Sequence, residues 1–278
     1  MNGILIINKE KNMTSRDVVN KLTSLFGIKK IGHTGTLDPL ATGVLVVCIG
    51  KYTKLVDVLT SEYKEYIATI KLGISTDTLD VTGNVLETCD IKAFEQDKII
   101  KVLESFVGKS LQTVPKYSAV HVNGKRLYEY ARNNEEVILP KREINVKEIE
   151  LLDYHNDEIK FRCIVSKGTY IRSLIEDICE SLNTCGCMKE LHRTKQGKFN
   201  IENSYTLEDI KNNKYKLLNI EEVLDLEVIN INEDLYKKIS NGSKITDNLA
   251  GYVLYKYAKN NIALYYFEDK VGRLKILF

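Results

Sequence analysis

The spacing of apolar residues predicts a buried sheet. Ile4–Ile7 and Val44–Ile49 are continuous apolar runs of strand length, which is typical of strands covered on both faces. Two further segments alternate between apolar and polar positions, as half-buried strands do. These are Lys64–Gly73, with Tyr66, Ala68, Ile70 and Leu72 on one face, and Ile159–Ser166.

Three segments have helical spacing instead. Thr14 and Asp17 have the spacing of a capping box, and Gly27 can end the helix that follows. A second helix is predicted between Asp97, its cap, and Gly108, which stops it. A third is predicted after Thr169, its cap, with apolar positions up to Leu182. The third helix would carry Arg172 in its first turn. Strands and helices along one chain of this length predict an α/β (α+β) domain.

The pattern changes near Val228. Three short alternating runs follow, around Tyr252–Tyr257, Ala263–Phe267 and Arg273–Phe278, and Asn260-Asn261 is a candidate turn between the first two. We therefore expect a domain over residues 1–227 and a small β module over residues 228–278. No low-complexity linker separates them, so the module should pack directly on the domain.

Charge changes this picture only locally. Forty basic and 38 acidic residues in 278 give a net charge of +2, which is too balanced for a non-specific nucleic-acid coat. No signal peptide is recognised and no apolar run approaches the ~20 residues of a membrane span, which predicts a cytoplasmic protein without a membrane partner. Residues 109–142 are locally basic, with Lys116, Lys125, Arg126 and Arg132 beside several tyrosines. Such a composition suits single-stranded RNA, although a solvated surface with core tyrosines is about as compatible with it.

The cysteines predict neither a metal site nor a disulfide framework. Cys185-Gly-Cys187 is the only close pair, and no second pair of cysteine or histidine completes a set of four zinc ligands. The others lie in apolar-patterned segments and are interpreted as small core residues. These are Cys48, Cys89, Cys163 and Cys179.

The candidate chemistry lies in the stretch Gly32–Leu45. It contains one carboxylate, Asp38, among glycines, hydroxyl-bearing residues and apolar residues, and it leads into the strand at Val44–Ile49. Pro39 disfavours a helical conformation at Asp38, so the acid should sit on a loop. From the residues alone, a plain Asx turn is the favoured interpretation; a reactive acid on a shaped loop is the alternative.

The same stretch resembles the catalytic loop of the TruB family of tRNA pseudouridine-55 synthases over fourteen consecutive positions. Other segments resemble further motifs of that family. They are Lys64-Glu-Tyr66-Ile-Ala68, Gly73–Gly83, Pro115–Arg132, Lys167-Gly-Thr-Tyr170-Ile-Arg172 and Glu190–Thr194. The resemblance covers roughly residues 3–200. It implies the pseudouridine synthase fold, with a mixed, largely antiparallel central sheet, and a PUA-like C-terminal module.

The resemblance also implies an activity and a site. The activity is isomerisation of uridine 55 in the T-loop of tRNA to pseudouridine, through a flipped base and without metal or other cofactor. Asp38 would be the catalytic residue, paired with Arg172, and the tRNA T-arm would be the partner of a monomeric protein. The other implied substrate contacts are His33, Tyr66, Tyr170 and Leu191, and the implied RNA contacts are Lys116, Lys125, Arg126 and Arg132.

Three alternatives remain at this point. The chain could be a related pseudouridine synthase that acts on another RNA. It could be a tRNA-folding chaperone whose catalytic loop is idle. A glycoside hydrolase is the third, but the sequence offers no convincing second acid beside Asp38.

Overall fold

A computed structural model describes residues 1–60, 63–91 and 93–278. The strands of the first part of the chain are β1 (Gly3–Lys9), β2 (Ile31–His33), β3 (Thr42–Ile49), β4 (Tyr63–Leu72), β5 (Ile74–Thr76), β6 (Val85–Thr88), β7 (Gly108–Thr113), β8 (His121–Val122) and β9 (Lys125–Arg126). Later strands are β10 (Lys141–His155), β11 (Glu158–Ser166), β12 (Gly186–Gln196), β13 (Phe199–Asn200), β14 (Leu226–Asn230), β15 (Ile245–Thr246), β16 (Gly251–Tyr257), β17 (Asn260–Glu268) and β18 (Val271–Leu277). The helices are α1 (Ser15–Phe26), α2 (Val56–Leu59), α3 (Gln96–Ser105), α4 (Leu127–Arg132), α5 (Ile171–Ser181), α6 (Leu207–Lys211), α7 (Ile220–Val223) and α8 (Glu233–Ser240), and 3-10 turns lie at Gly50–Leu55 and Ile201–Asn203.

One large sheet forms the centre of the molecule. Its strand order is β1-β3-β12-β4-β11-β10-β7, with β2 added beside β3 and β13 beside β12. All neighbours in this sheet are antiparallel except β12 and β3, which run parallel where His192 pairs with Thr42 and Arg193 with Gly43. The predicted mixed, largely antiparallel central sheet is therefore confirmed.

The alternation in β4 decides which face of the sheet is covered. Tyr66, Ala68, Ile70 and Leu72 are all buried, as their spacing predicts. They pack in one core with apolar residues of α3 and α5. Because β4 lies between β12 and β11, this core fixes the strands that carry the site described below.

Helix α1 begins and ends where the sequence predicts. The Asp17 amide donates to the Thr14 hydroxyl at 3.0 Å, and the Thr14 amide donates to the Asp17 carboxylate at 2.9 Å. Gly27 closes the helix with φ +65°, a left-handed conformation that costs glycine little.

The other two predicted caps are wrong by one or two positions. Helix α3 starts at Gln96 after Glu95, so Asp97 lies inside the first turn, where its charge still favours the helix dipole. Helix α5 begins after Tyr170. Thr169 belongs to the preceding turn, because its backbone amide donates a hydrogen bond to the Ser166 carbonyl at 3.3 Å. Helix α3 also ends before Phe106, and Gly108 opens β7.

The C-terminal strands form a second sheet in the order β14-β16-β17-β18-β15. The three alternating runs are confirmed as β16, β17 and β18. The predicted turn is wrong: Ala258 and Lys259 make it with φ 48° and 66°, and Asn260-Asn261 already belong to β17. Two left-handed residues suit a two-residue hairpin because its twist matches that of the strands.

The second sheet packs directly on the first. Leu254, Leu264 and Ile276 are fully buried in one core with residues of β1 and β3, among them Ile4 and Val44. The sheet starts at Leu226, and the division of the chain at residue 227 remains a proposal. The shared core indicates that the two sheets depend on each other for stability.

We expect Leu264→Ala to lower the free energy of unfolding by ~2–5 kcal/mol, because it leaves a cavity in this shared core. Calorimetry should show one cooperative transition that moves as a whole. Leu274→Ala is the control, since Leu274 of the same sheet is 38% exposed. Two separate transitions, of which only one shifts, would mean that the sheets unfold independently.

The cysteine predictions hold for three of the four presumed core residues. Cys48, Cys163 and Cys179 are buried free thiols. Cys89 contradicts the prediction: it is half-buried and forms a disulfide with Cys185. Ninety-six positions separate the two cysteines, so no local spacing could reveal this pair. Within the described ranges, no helix is long and apolar enough to cross a membrane.

Candidate active site

A cleft of about 770 Å³ opens above β4, between the loop that follows β2 and the start of α5. Five of the predicted site residues line it: Asp38, Tyr66, Tyr170, Arg172 and Leu191. They come from four separate segments of the chain, which the central sheet brings to one place.

The loop that carries Asp38 is anchored through its neighbours. Leu37, Leu40 and Ala41 are buried in the core beneath it. The Leu37 amide donates to the Ser15 hydroxyl at 2.9 Å, and the Ala41 amide donates to the Asp38 carbonyl at 3.1 Å. The Asp38 side chain stays 31% exposed and faces the cleft. A fixed backbone with a carboxylate that remains accessible from the cleft is what an acid needs to meet a substrate.

Arg172 binds that carboxylate from the first turn of α5. Its Nε donates to Asp38 Oδ2 at 2.9 Å and its Nη2 to Asp38 Oδ1 at 3.1 Å. The same guanidinium donates to the carbonyls of Thr78 at 3.0 Å and Tyr117 at 3.1 Å. The predicted contact between Asp38 and Arg172 is thus present as a two-pronged, charge-assisted pair. Arg172 is only 5% exposed and lies at the bottom of the cleft. Its hydrogen bonds connect the segments that carry Asp38, Thr78 and Tyr117.

Tyr66 and Leu191 form an apolar wall beside this pair. Both are 7% exposed, and they lie on the adjacent strands β4 and β12. Burial raises the pKa of the Tyr66 phenol, and the charge of Arg193, followed by a hydrogen bond with it, partly offsets the shift. A neutral ring at the edge of a cleft is suited to stacking on a planar base.

Tyr170 lies opposite, at the cap of α5. The side chain of Gln112 holds its backbone from both sides, accepting from the Tyr170 amide at 2.8 Å and donating to its carbonyl at 3.0 Å. The guanidinium of Arg142 lies 5.4 Å from the centre of its ring. Gln112 is 1% exposed, and no pattern in the sequence predicts this role.

His33 is not among the residues that line this cleft. It lies on β2, and burial lowers its pKa, as do the charges of Arg16 and Arg193. Its Nδ1 is buried without a hydrogen-bond partner among the described residues. A neutral ring in a cationic setting is a poor proton carrier, and a role for His33 in binding remains a prediction.

The four predicted RNA-binding cations are not among the residues that line the cleft, but two of them, Arg126 and Arg132, reach its rim. Arg126 and Arg132 flank the ring of Tyr128, at 5.9 and 5.2 Å, and Tyr128 lines the cleft. Lys125 pairs with Glu135 at 2.9 Å, and that carboxylate raises the pKa of the lysine. Because Glu135 already neutralises Lys125, the two arginines are the freer partners for phosphate.

Lys116 lies apart from these three, on the segment that precedes Tyr117. It lines a neighbouring cavity with residues of the β5–β6 hairpin and α5. Its side chain is half-buried. Whether it contacts RNA remains a prediction.

Arg193 is one of the site residues that sequence reasoning missed. It is fully buried, and its Nε donates to the Val44 carbonyl at 2.7 Å while its Nη2 donates to the Gly35 carbonyl at 3.1 Å. It therefore supports both ends of the Asp38 loop and the Tyr66 hydroxyl. The available signal was the strand period: Arg193 is two positions after Leu191 and so shares its face.

Lys9 supports the loop from below. Its ammonium donates to the carbonyls of Glu10, Met13 and Pro39 at 2.9, 2.6 and 3.3 Å. Burial is the largest influence on this lysine and lowers its pKa to about 8, although the charge of Asp38 acts in the opposite direction. Lys9 thus fixes Pro39, the residue next to the acid.

The described residues contain no cluster of three or more histidine, cysteine, aspartate or glutamate side chains that could hold a metal ion.

Two family models match the chain in succession. Residues 23–171 match the N-terminal domain of the TruB family of pseudouridylate synthases. Residues 172–231 match the C-terminal domain of tRNA pseudouridylate synthase B.

Curated relatives are similar over almost the whole length. The tRNA pseudouridine synthase B of Clostridium tetani is 43% identical over 273 residues, covering 97% of this chain and 93% of the relative. The proteins of the same name from Mycoplasma mobile and Staphylococcus aureus are 40% and 46% identical, over 100% and 89% of this chain and 92% and 86% of theirs.

Solved structures show the same fold. A Cbf5-Nop10-Gar1 complex contains a chain that aligns with a TM-score of 0.71 and 25% identity, over 99% of this chain and 84% of its own. A chain of an H/ACA RNP bound to a substrate RNA containing 2′-deoxyuridine aligns with a TM-score of 0.69 and 24% identity, over 99% of this chain and 83% of its own. The predicted fold class, a mixed α/β fold with a small C-terminal β module, is confirmed.

Proposed function

Because the chain belongs to the TruB family and is a tRNA pseudouridine synthase, we propose that it isomerises uridine 55 in the T-loop of tRNA. The observation that carries the proposal is the Asp38–Arg172 pair at the bottom of a cleft with an apolar wall. The target nucleotide leaves the loop, and its base enters this cleft beside Tyr66 and Leu191.

The reaction moves the base without any net oxidation. The bond from N1 of uracil to C1′ of ribose breaks, a bond from C5 to C1′ forms, and the proton on C5 is exchanged for one on N1. This chemistry needs an anion next to the ribose and the base, and Asp38 is the one carboxylate among the described residues that line the cleft. Arg172 holds that carboxylate in a bidentate, charge-assisted pair and so fixes its orientation.

The role of the Asp38 anion has three forms that the same geometry serves. It can attack the ribose, attack the base, or remove a ribose proton. In each case the buried guanidinium of Arg172 spares the carboxylate from reorganising as charge moves. Neither a redox group nor an electron sink enters the balance of the reaction.

Stacking can offset the energy of extruding the nucleotide. Base flipping costs a few kcal/mol, and a base stacked on an aromatic ring recovers ~1–3 kcal/mol. Tyr66 is held by its strand neighbours and by Arg193, so its ring needs little ordering when the base arrives. Leu191 covers the adjoining edge of the wall and helps exclude water.

Tyr66→Leu should lower turnover of bound tRNA more than it lowers affinity for unmodified tRNA. The ring contacts the flipped base, whereas tRNA affinity depends mainly on contacts between the basic surface and the RNA phosphate backbone. Single-turnover rates and equilibrium dissociation constants measure the two effects separately. Tyr66→Phe is the matched control, since it keeps the ring and loses only the hydroxyl. If the leucine variant lost affinity while its bound tRNA reacted at the normal rate, the assigned roles would be reversed.

Position-resolved mapping of pseudouridine tests the proposal. The protein is incubated with an unmodified tRNA transcript, and with a transcript in which uridine 55 is replaced by cytidine. We expect one pseudouridine per molecule at position 55 of the first transcript and none in the second. Modification of other RNAs in place of this uridine would favour the related-synthase alternative. Refolding of tRNA without any pseudouridine would favour the chaperone alternative.

A further inference from the structure

Lys64 is a buried cation that the proposed chemistry does not use. It is the second residue of β4, its side chain is 9% exposed, and it lines the same cleft as Asp38. No carboxylate or hydrogen-bond acceptor among the described residues binds its ammonium. The charged groups that act on it are Arg193 and Lys167, which are both cationic.

This position is unfavourable for the free protein. Burial and, to a smaller extent, the charges of Arg193 and Lys167 lower the pKa of Lys64 to about 8. Its ammonium lies in the wall of the cleft, where partial burial without a counter-charge disfavours the charged form. A lysine kept in such a place indicates that an anion arrives from outside.

The rest of the cleft lacks that anion. Asp38 is its one carboxylate among the described residues, and Arg172 already binds both oxygens. Arg142 lies over the Tyr170 ring and donates to the Gly168 carbonyl at 3.2 Å. Lys167 is exposed at the mouth and has no ion-pair partner in the described part of the chain. Arg142 and Arg193 also lack a carboxylate partner among the described residues, but carbonyls accept from both guanidinium groups; Lys64 and Lys167 are the cleft cations whose ammonium groups no described acceptor binds.

We propose that Lys64 and Lys167 form a phosphate subsite that binds the RNA phosphodiester next to the flipped nucleotide. This inference rests on the proposed function, because it assigns an RNA contact within the same cleft. Lys64 and Tyr66 are two positions apart on β4 and so point to one face, about 7 Å apart along the strand. A base on Tyr66 and its own backbone phosphate at Lys64 then belong to one nucleotide. Lys64 is a positioning residue, since it holds the backbone rather than the reacting atoms.

A binding cycle with chemically altered RNA tests the contact. T-arm hairpins are prepared with a neutral methylphosphonate in place of one phosphate, either 5′ or 3′ of the target uridine, and with the natural backbone. Loss of one charged contact should weaken binding about tenfold, whether it is removed by Lys64→Met or by one of the two methylphosphonates. The two changes together should weaken binding no more than either alone. The variant should also lower the slope of log affinity against log salt by about 0.7.

Controls separate the contact from the fold. Lys51→Met removes an exposed lysine outside the cleft and should give additive effects with both methylphosphonates. Lys64→Arg keeps the charge and should retain most of the affinity. Lys64→Met should leave the melting temperature unchanged or raise it, because it removes an unneutralised buried charge. A fall in melting temperature that accounts for the lost affinity would overturn the proposal.

The outcomes also distinguish this proposal from the proposed function. Binding of the hairpins needs no turnover, and pseudouridine formation by the wild-type protein is measured on intact tRNA. Additive effects of Lys64→Met with both methylphosphonates, in a protein that forms pseudouridine 55, would exclude the phosphate subsite and leave the function standing. Absence of pseudouridine would remove the function itself, whatever the cycle shows.

Discussion

Arg172→Met is expected to abolish detectable turnover and to lower the free energy of unfolding by ~3 kcal/mol, the low end for breaking a buried ion pair. The guanidinium is 5% exposed and makes four hydrogen bonds, to the carboxylate of Asp38 and to the carbonyls of Thr78 and Tyr117. Its loss leaves these acceptors without their donor. Asp38 is 31% exposed, so water replaces part of the interaction, and this is why the low end applies.

A double-mutant cycle shows whether the stability loss belongs to the pair. Asp38→Asn removes the charge that Arg172→Met leaves unpaired, so the double variant should be clearly more stable than the sum of the single effects implies. Denaturant unfolding of the four proteins gives the coupling. The exposed pair Lys109–Glu143 is the control and should show almost no coupling. Additive losses at residues 38 and 172 would mean that the two side chains do not interact in solution.

Asp38→Asn is expected to lower the rate of pseudouridine formation by ~10⁴-fold or more while tRNA affinity stays within about tenfold. The amide has nearly the size of the carboxylate and still offers one oxygen to Arg172, so the loop should keep its shape. What disappears is the anion that attacks or removes a proton. Rapid-quench assays with enzyme in excess, and equilibrium binding of the same tRNA, measure the two quantities. Wild-type turnover by this variant would refute the catalytic assignment.

The elements that the sequence predicted well are those whose signal is local. Helix α1 carries its own start and stop in Thr14, Asp17 and Gly27, and all three act as expected. The face of β4 was readable because Tyr66, Ala68, Ile70 and Leu72 repeat at the period of a strand. Such patterns depend on the segment itself, so later packing does not alter them.

The elements that could not be predicted well from the sequence depend on residues far away along the chain. Tyr170 caps α5 because Gln112, 58 positions away, takes up its backbone groups. Cys89 pairs with Cys185 across 96 positions, and its own segment shows only an ordinary apolar pattern. The hairpin turn at Ala258-Lys259 was missed because asparagines are the usual left-handed residues and two of them follow directly.

The candidate site divides in the same way. Asp38, Tyr66 and Arg172 stand in motifs that resemble those of a known family, and the cleft brings them together. Arg193 and Lys64 also lie in segments that resemble the family's motifs, but neither was singled out, because a cation in a strand is normally taken to be exposed. Only the burial of both side chains shows that one supports the loop and that the other has no counter-charge.

The most direct test of the central claim is a crystal structure of the Asp38→Asn variant bound to a T-arm hairpin. We expect that the target uridine has left the RNA loop, that its base stacks on Tyr66, and that its ribose lies within contact distance of residue 38. A uridine that remains stacked in the RNA loop, with the cleft unoccupied, or a base bound away from residue 38, would contradict it.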